Sequence, residues 1–178
     1  PWNFSGSETF ADGSVVAKFR LPDCVELPSI VVEYLVTVSE TLAVELTVTN
    51  SSGAEFVFED CLHTYFSVGD ISRTSVHGLK GVEYLDAVDG YKQKTEREEA
   101  IRFNCETDRV YFKTPHATEI HDDANGRIIR VEKENSVSTV VWNPWIAKAK
   151  AMADFGDEEY KIMLCVESGN VRTEAIKL

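Results

Sequence analysis

Three side chains stand out as groups able to hold or move protons. His63 lies in the strand-like segment Cys61-Leu62-His63-Thr64-Tyr65-Phe66, where an imidazole can serve as acid or base near neutral pH. A purely structural histidine is the other reading of such a position. Glu167 follows the apolar run Lys161-Ile162-Met163-Leu164-Cys165-Val166, which carries its carboxylate to a strand end facing either a cleft or solvent. Among apolar groups its pKa would rise toward the range of a general base, whereas at a solvated rim it would stay an ordinary glutamate. Asp108, in Glu106-Thr107-Asp108-Arg109-Val110-Tyr111, reads as an acceptor for a sugar hydroxyl with a cation beside it, or as half of a strand-start ion pair.

Other constellations are weaker. Cys61 and His63 fall on one strand face, but a zinc site needs two further ligands that no spacing supplies, and no metal is expected. The triplet Asp154-Phe155-Gly156 has the letters of a kinase motif without a glycine-rich loop or catalytic loop ahead of it. His116, His121, Asp122 and Asp123 are explained better by the turn Asp122-Asp123-Ala124-Asn125-Gly126 than by a metal. Trp142 and Trp145 flank Asn143-Pro144 and read as sugar-stacking rings or as core residues beside a turn. The cysteines Cys24, Cys61, Cys105 and Cys165 are too widely spaced for a zinc ribbon or a disulfide framework, so reduced thiols are expected.

The elements that must position these groups are strands. In Leu42-Ala43-Val44-Glu45-Leu46-Thr47-Val48-Thr49 large aliphatics alternate with mostly polar residues, the period of a half-buried strand. Similar runs at about 14–21, 31–38, 54–59, 62–68, 71–77, 108–113, 117–121, 127–133, 137–142 and 162–167 are separated by turn residues. Asn125-Gly126 between two of them is a hairpin signal. Only Ile146 to Phe155 has helix-favouring composition, so at most one short helix is expected. About eleven strands without alternating helices exclude a doubly wound α/β fold and leave an antiparallel sandwich or barrel.

With 178 residues the chain has room for one ordinary core, and 1–178 is read as a single domain. A hydrophobic content of 43% excludes global disorder. A net charge of −12 argues against non-specific binding to nucleic acid or anionic lipid, although it says nothing about a focused cleft. No apolar stretch approaches the ~18 residues of a membrane helix. The opening Pro1-Trp2-Asn3-Phe4 has no initiator Met and neither signal- nor transit-peptide character, as expected of an internal piece of a longer chain.

Taken together, these segments resemble the aldose 1-epimerase (mutarotase) family, in its glucose-6-phosphate 1-epimerase branch. The resemblance rests on Leu62-His63-Thr64-Tyr65-Phe66-Ser67-Val68 with Asp70-Ile71, on Thr107-Asp108-Arg109-Val110-Tyr111, and on Val140-Val141-Trp142-Asn143-Pro144-Trp145. Lys148 to Lys161 and Met163-Leu164-Cys165-Val166-Glu167 continue it in order and spacing. It implies an all-β fold, the galactose mutarotase-like antiparallel β-supersandwich, here in part and without its N-terminal portion. It implies catalytic roles for His63 and Glu167 and a substrate-binding role for Asp108, with no metal or organic cofactor. The implied partner is a small-molecule hexose phosphate, with no nucleic acid and no membrane, and the phosphate-binding residues fall largely outside the chain. A neutral-sugar aldose 1-epimerase and a catalytically silent carbohydrate-binding homologue are the competing readings. A monomer is expected; the compartment is not readable from the sequence, with the cytoplasm the expectation and the plastid the alternative.

Overall fold

Residues 2–178 are described by a computed structural model. Two compact units are seen among these: 2–57 with the last two residues, and 58–176. In the first, period-two alternation produces an antiparallel meander of β1 (Asn3–Thr9), β2 (Val15–Arg20), β3 (Ile30–Val38) and β4 (Leu42–Asn50), hydrogen-bonded in that order. Val44, Leu46 and Val48 are half-buried on one face of β4 while Glu45, Thr47 and Thr49 are exposed on the other, as the alternation predicts. A bulge between Phe4 and Gly6 bends β1, and Gly6 takes a φ of +133° there, which side chains rarely adopt.

After β5 (Val57–Phe58), the second unit contains β6 (Asp60–Leu62), β7 (Tyr65–Ser67), β8 (Thr74–His77), β9 (Glu83–Asp86), β10 (Lys92–Thr95) and β11 (Ala100–Arg102). It continues with β12 (Thr107–Phe112), β13 (Thr118–Asp122), β14 (Arg127–Val131), β15 (Ser138–Asn143), α1 (Trp145–Ala151) and β16 (Met163–Asn170). The large sheet runs β10-β9-β12-β15-β16-β6, with β7 also on β16, and a second sheet runs β11-β8-β13-β14. A closing strand, β17 (Ile176–Lys177), pairs with β5. The register-resolved pairings of both large sheets are antiparallel.

One face of the large sheet supplies Tyr84, Tyr111, Val141, Leu164 and Val166 to a core completed by Val76, Ile101 and Ile120 of the second sheet. Two sheets enclosing apolar side chains make a β-sandwich. Because successive side chains on a strand point to opposite faces, the residues between these core positions line the other face of the large sheet. Among them are Asp108 on β12, Trp142 on β15, and Cys165 and Glu167 on β16. Asn143, at the end of β15, fastens the chain that leads from β15 to β16. Its buried Nδ2 donates to the carbonyls of Tyr160 (2.9 Å) and Met163 (3.0 Å), and its Oδ1 accepts from the Trp145 N–H (2.9 Å). Asn143→Ala leaves those three backbone groups unpaired and is expected to cost about 2 kcal/mol, read as a lower urea midpoint at unchanged slope.

Several expectations meet local chemistry. The run at 62–68 is two strands, because the Thr64 N–H turns back to the Leu62 carbonyl (2.8 Å) and leaves the ladder. The run at 71–77 begins as a 3-10 turn, Ile71–Arg73, capped by Asp70, whose carboxylate accepts from the Ser72 N–H (2.9 Å). The helix spans seven residues within and just before the expected 146–155. Asn125 and Gly126 do lie in the connection of the β13–β14 hairpin, with Gly126 at φ +61°. Among the described residues no helix is long and apolar enough to cross a membrane.

Candidate active site

The site is built from strand register. Asp108 on β12 pairs with Trp142 on β15, Trp142 pairs with Cys165 on β16, and Cys165 pairs with Tyr65 on β7. These four residues form one row across the sheet. On β16 Glu167 lies two residues further along, on the same face, paired with Val140. Leu62 pairs with Ser168 and Tyr65 with Cys165, so the same register sets His63 opposite Glu167. The local turn at Thr64 takes His63 out of the ladder without shifting that register, leaving its ring to be placed by side-chain packing.

That packing is aromatic. The His63 ring stacks on Tyr65 (centroids 4.9 Å apart, planes at 15°) and meets Trp142 edge-on at 5.7 Å. Held there, its Nε2 is 3.2 Å from Glu167 Oε1. The two partners differ in solvation, with side chains 49% exposed for His63 and 5% for Glu167. The other Glu167 oxygen, Oε2, accepts from Cys61 Sγ at 3.1 Å. The carboxylate is therefore fixed from two sides on a buried strand while the imidazole keeps an open flank, which suits an acid–base pair meeting a ligand from solvent.

Burial pushes the Glu167 carboxyl above its ordinary range, and the nearby Asp108 charge adds to this, while the Cys61 hydrogen bond and the His63 charge oppose it. Asp108 is raised too, by burial first and then by the Glu106 carboxylate; its charge interacts with that of His63. The thiols of Cys61 and Cys165 are pushed up by burial and by Glu167, so both stay protonated. Trp142, Met163 and Cys165, with Val140, Met152 and Phe155 against them, form a small apolar floor on this face.

The structure thus brings His63, Glu167 and Asp108 to one sheet face. Arg109 points to the other, where its Nη1 pairs with Glu96 Oε2 at 2.7 Å, so it does not serve as the neighbouring cation of Asp108. Trp142 belongs to the site, whereas Trp145 packs on Tyr160 at 5.3 Å. His121 lies against His77 (4.1 Å) on the second sheet, and Asp122 is a buried acceptor for the Gly69 N–H, Asn125 and Arg127 that closes the turn. Tyr65 and Cys165 are site residues that residue type alone does not single out. Counting by two from His63 and from Glu167 would have found both.

The site is thus an imidazole and a carboxylate 3.2 Å apart on one sheet face of a two-layer β-sandwich. The whole chain, residues 1–178, matches the family model described as Aldose 1-epimerase, and the protein belongs to that family. It is 46% identical over 123 residues to a Cenchrus ciliaris protein named "Putative glucose-6-phosphate 1-epimerase", a match covering 69% of this chain and 37% of that protein. A protein of the same name from Escherichia coli K12 is 39% identical over 117 residues, covering 66% and 40%. A crystal structure of a "putative mutarotase (YeaD)" from Salmonella typhimurium superposes with a TM-score of 0.87 at 29% identity, covering 99% of this chain and 59% of that one. The matched stretches thus span well under half of the two curated relatives.

Proposed function

We propose that the protein interconverts the α and β anomers of a hexose 6-phosphate, with Glu167 and His63 as the proton-transfer pair and Asp108 as a substrate ligand. The carrying observation is the 3.2 Å approach of His63 Nε2 to Glu167 Oε1 on an open sheet face. Anomer exchange requires opening the hemiacetal, turning the C1 aldehyde and closing on its other face. One group takes the proton of the C1 hydroxyl while the other gives a proton to the ring oxygen, and on closure the roles reverse. These two oxygens share one carbon, so a donor and an acceptor standing side by side can each reach one of them. Ionised Glu167 is the base of the opening step and protonated His63 the acid. Asp108, on the same face, is the proposed acceptor for a sugar hydroxyl. The phosphate preference rests on the names borne by the relatives; family membership by itself supports an aldose.

Exchange NMR at anomeric equilibrium tests this, with glucose 6-phosphate and glucose side by side. Faster exchange of the phosphorylated sugar is expected, and equal acceleration of both would move the reading to a neutral-sugar epimerase. No acceleration of either would leave a silent carbohydrate-binding homologue. The pH profile carries a second expectation. Protonating Glu167 removes the base, and its pKa is raised, so the acid limb of kcat/KM should lie above the ordinary glutamate value of 4.5. A flat profile between about pH 5 and 8 would remove the pair from the chemistry.

A further inference from the structure

The proton-transfer pair shares its sheet face with a thiol that the proposed reaction does not use. A ring nitrogen of His63, Sγ of Cys165 and a carboxylate oxygen of Glu167 all lie within 4.8 Å of one another. An imidazole, a thiolate and a carboxylate are the mixed nitrogen, sulfur and oxygen donors that zinc-class ions take, whereas Mg²⁺ and Ca²⁺ prefer oxygen alone. Tetrahedral zinc, with bonds of about 2.0–2.3 Å, places its ligand atoms about 3.3–3.8 Å apart. The cluster would therefore need to contract by roughly 1 Å, chiefly by a shift of the half-exposed His63 ring along the face of Tyr65 on which it stacks. Glu167 and Asp108 put two carboxylates on this face, with Glu106 and Asp86 acting on Asp108 in the same sense and Lys148 and His63 as the opposing charges; coordination takes up His63 as a neutral ligand and removes its part of that opposition.

We propose that His63, Cys165 and Glu167 bind a zinc-class divalent cation, and that the cation and the hexose exclude one another. Coordination releases the Cys165 thiol proton to water and changes no oxidation state, and three protein ligands leave a tetrahedral ion one position for water. The exclusion rests on the acid–base reading of His63 and Glu167, because the ion takes the same nitrogen and carboxylate that would exchange protons with the sugar. The ion site itself rests on geometry alone.

Cobalt(II) is the probe for the site, added to phosphine-reduced protein, since a thiolate ligand announces itself as a charge-transfer band in the near ultraviolet. The band is expected in the unaltered protein and in Cys61→Ala, and is expected to disappear in Cys165→Ala and Cys165→Ser and to be bleached by Zn²⁺. Its absence from the unaltered protein, or its survival in both Cys165 variants, overturns the site. Cys165 is fully buried, so His63→Ala, altered at the exposed ligand, gives an independent measurement with an expected loss of about tenfold or more in cobalt affinity; unchanged affinity overturns the site. Glucose 6-phosphate should raise the apparent cobalt dissociation constant, and saturating Zn²⁺ should stop anomer exchange. Exchange that persists with zinc bound overturns the exclusion. A cobalt band in protein that shows no exchange even without metal supports the ion site and overturns only the epimerase reading.

Discussion

Glu167→Gln is expected to slow anomer exchange by about 10²–10⁴-fold while raising the melting temperature at neutral pH. The first effect comes from removing the base: an amide of the same shape cannot take the C1 hydroxyl proton. The second comes from the cost of keeping a carboxylate ionised on a buried strand. The folded-state pKa of Glu167 is raised, by burial above all. A carboxyl shifted upward favours the folded state below its unfolded pKa, and that contribution is lost as pH rises through the folded value. At neutral pH the glutamate is therefore a net burden, which the uncharged glutamine removes. Cys61 keeps an acceptor in the glutamine oxygen, so the edge contact of β6 survives. Exchange NMR and calorimetry on the same sample check both halves, and the stability difference should shrink as pH falls toward the carboxylate range. Wild-type exchange rates in the variant would remove Glu167 from the chemistry, and a lower melting temperature would contradict the account of its burial.

Gly169→Ala should damage both fold and site, although the residue touches no proposed substrate atom. Gly169 sits on β16 opposite Cys61 on β6. A Cβ built there would lie 2.3 Å from the Asp60 carbonyl oxygen and 2.8 Å from the Cys61 Cα. Both are backbone, so no side chain can swing aside, and β6 must retreat from β16 by roughly 1 Å to restore ordinary contact. Overpacking of this kind is expected to cost about 3 kcal/mol. The displaced segment carries Cys61 and leads directly into His63, and an error of that size at a reacting group costs about 10²-fold in rate. Denaturant unfolding measures the first effect and exchange NMR the second. Gly169→Ala with unchanged stability would show that the two strands are not held at this separation.

The strands that the sequence reveals are those with one apolar and one polar face. The alternation at 42–49 becomes β4, and the runs at 108–113, 117–121 and 137–142 become β12, β13 and β15. Strands without that contrast stay hidden. Lys92-Gln93-Lys94-Thr95 forms the edge strand β10, where Lys94 pairs with Asp86 and Asp89 instead of burying apolar surface. An edge rich in charge is a common way to discourage further pairing, and it erases the hydrophobic signal. Asn3 to Thr9 is likewise mostly polar, and only its pairing with β2 makes it a strand.

For the site, residue types made His63, Asp108 and Glu167 candidates with a structural reading beside each, the family resemblance supplied their roles, and period-two alternation supplied the all-β architecture. Nothing local joins positions so far apart in the chain. Register across β12, β15, β16 and β7 brings them to one face and adds Tyr65, Trp142 and Cys165 to it. Tertiary packing also decides between the readings that the residues left open. Burial makes Glu167 a perturbed carboxylate instead of a solvated rim. The two-residue period sends Arg109 away to Glu96 while its neighbour Asp108 stays with the site. The physical reason is the same in each case: a strand's composition sets which faces are apolar, while its neighbours' positions set what those faces meet.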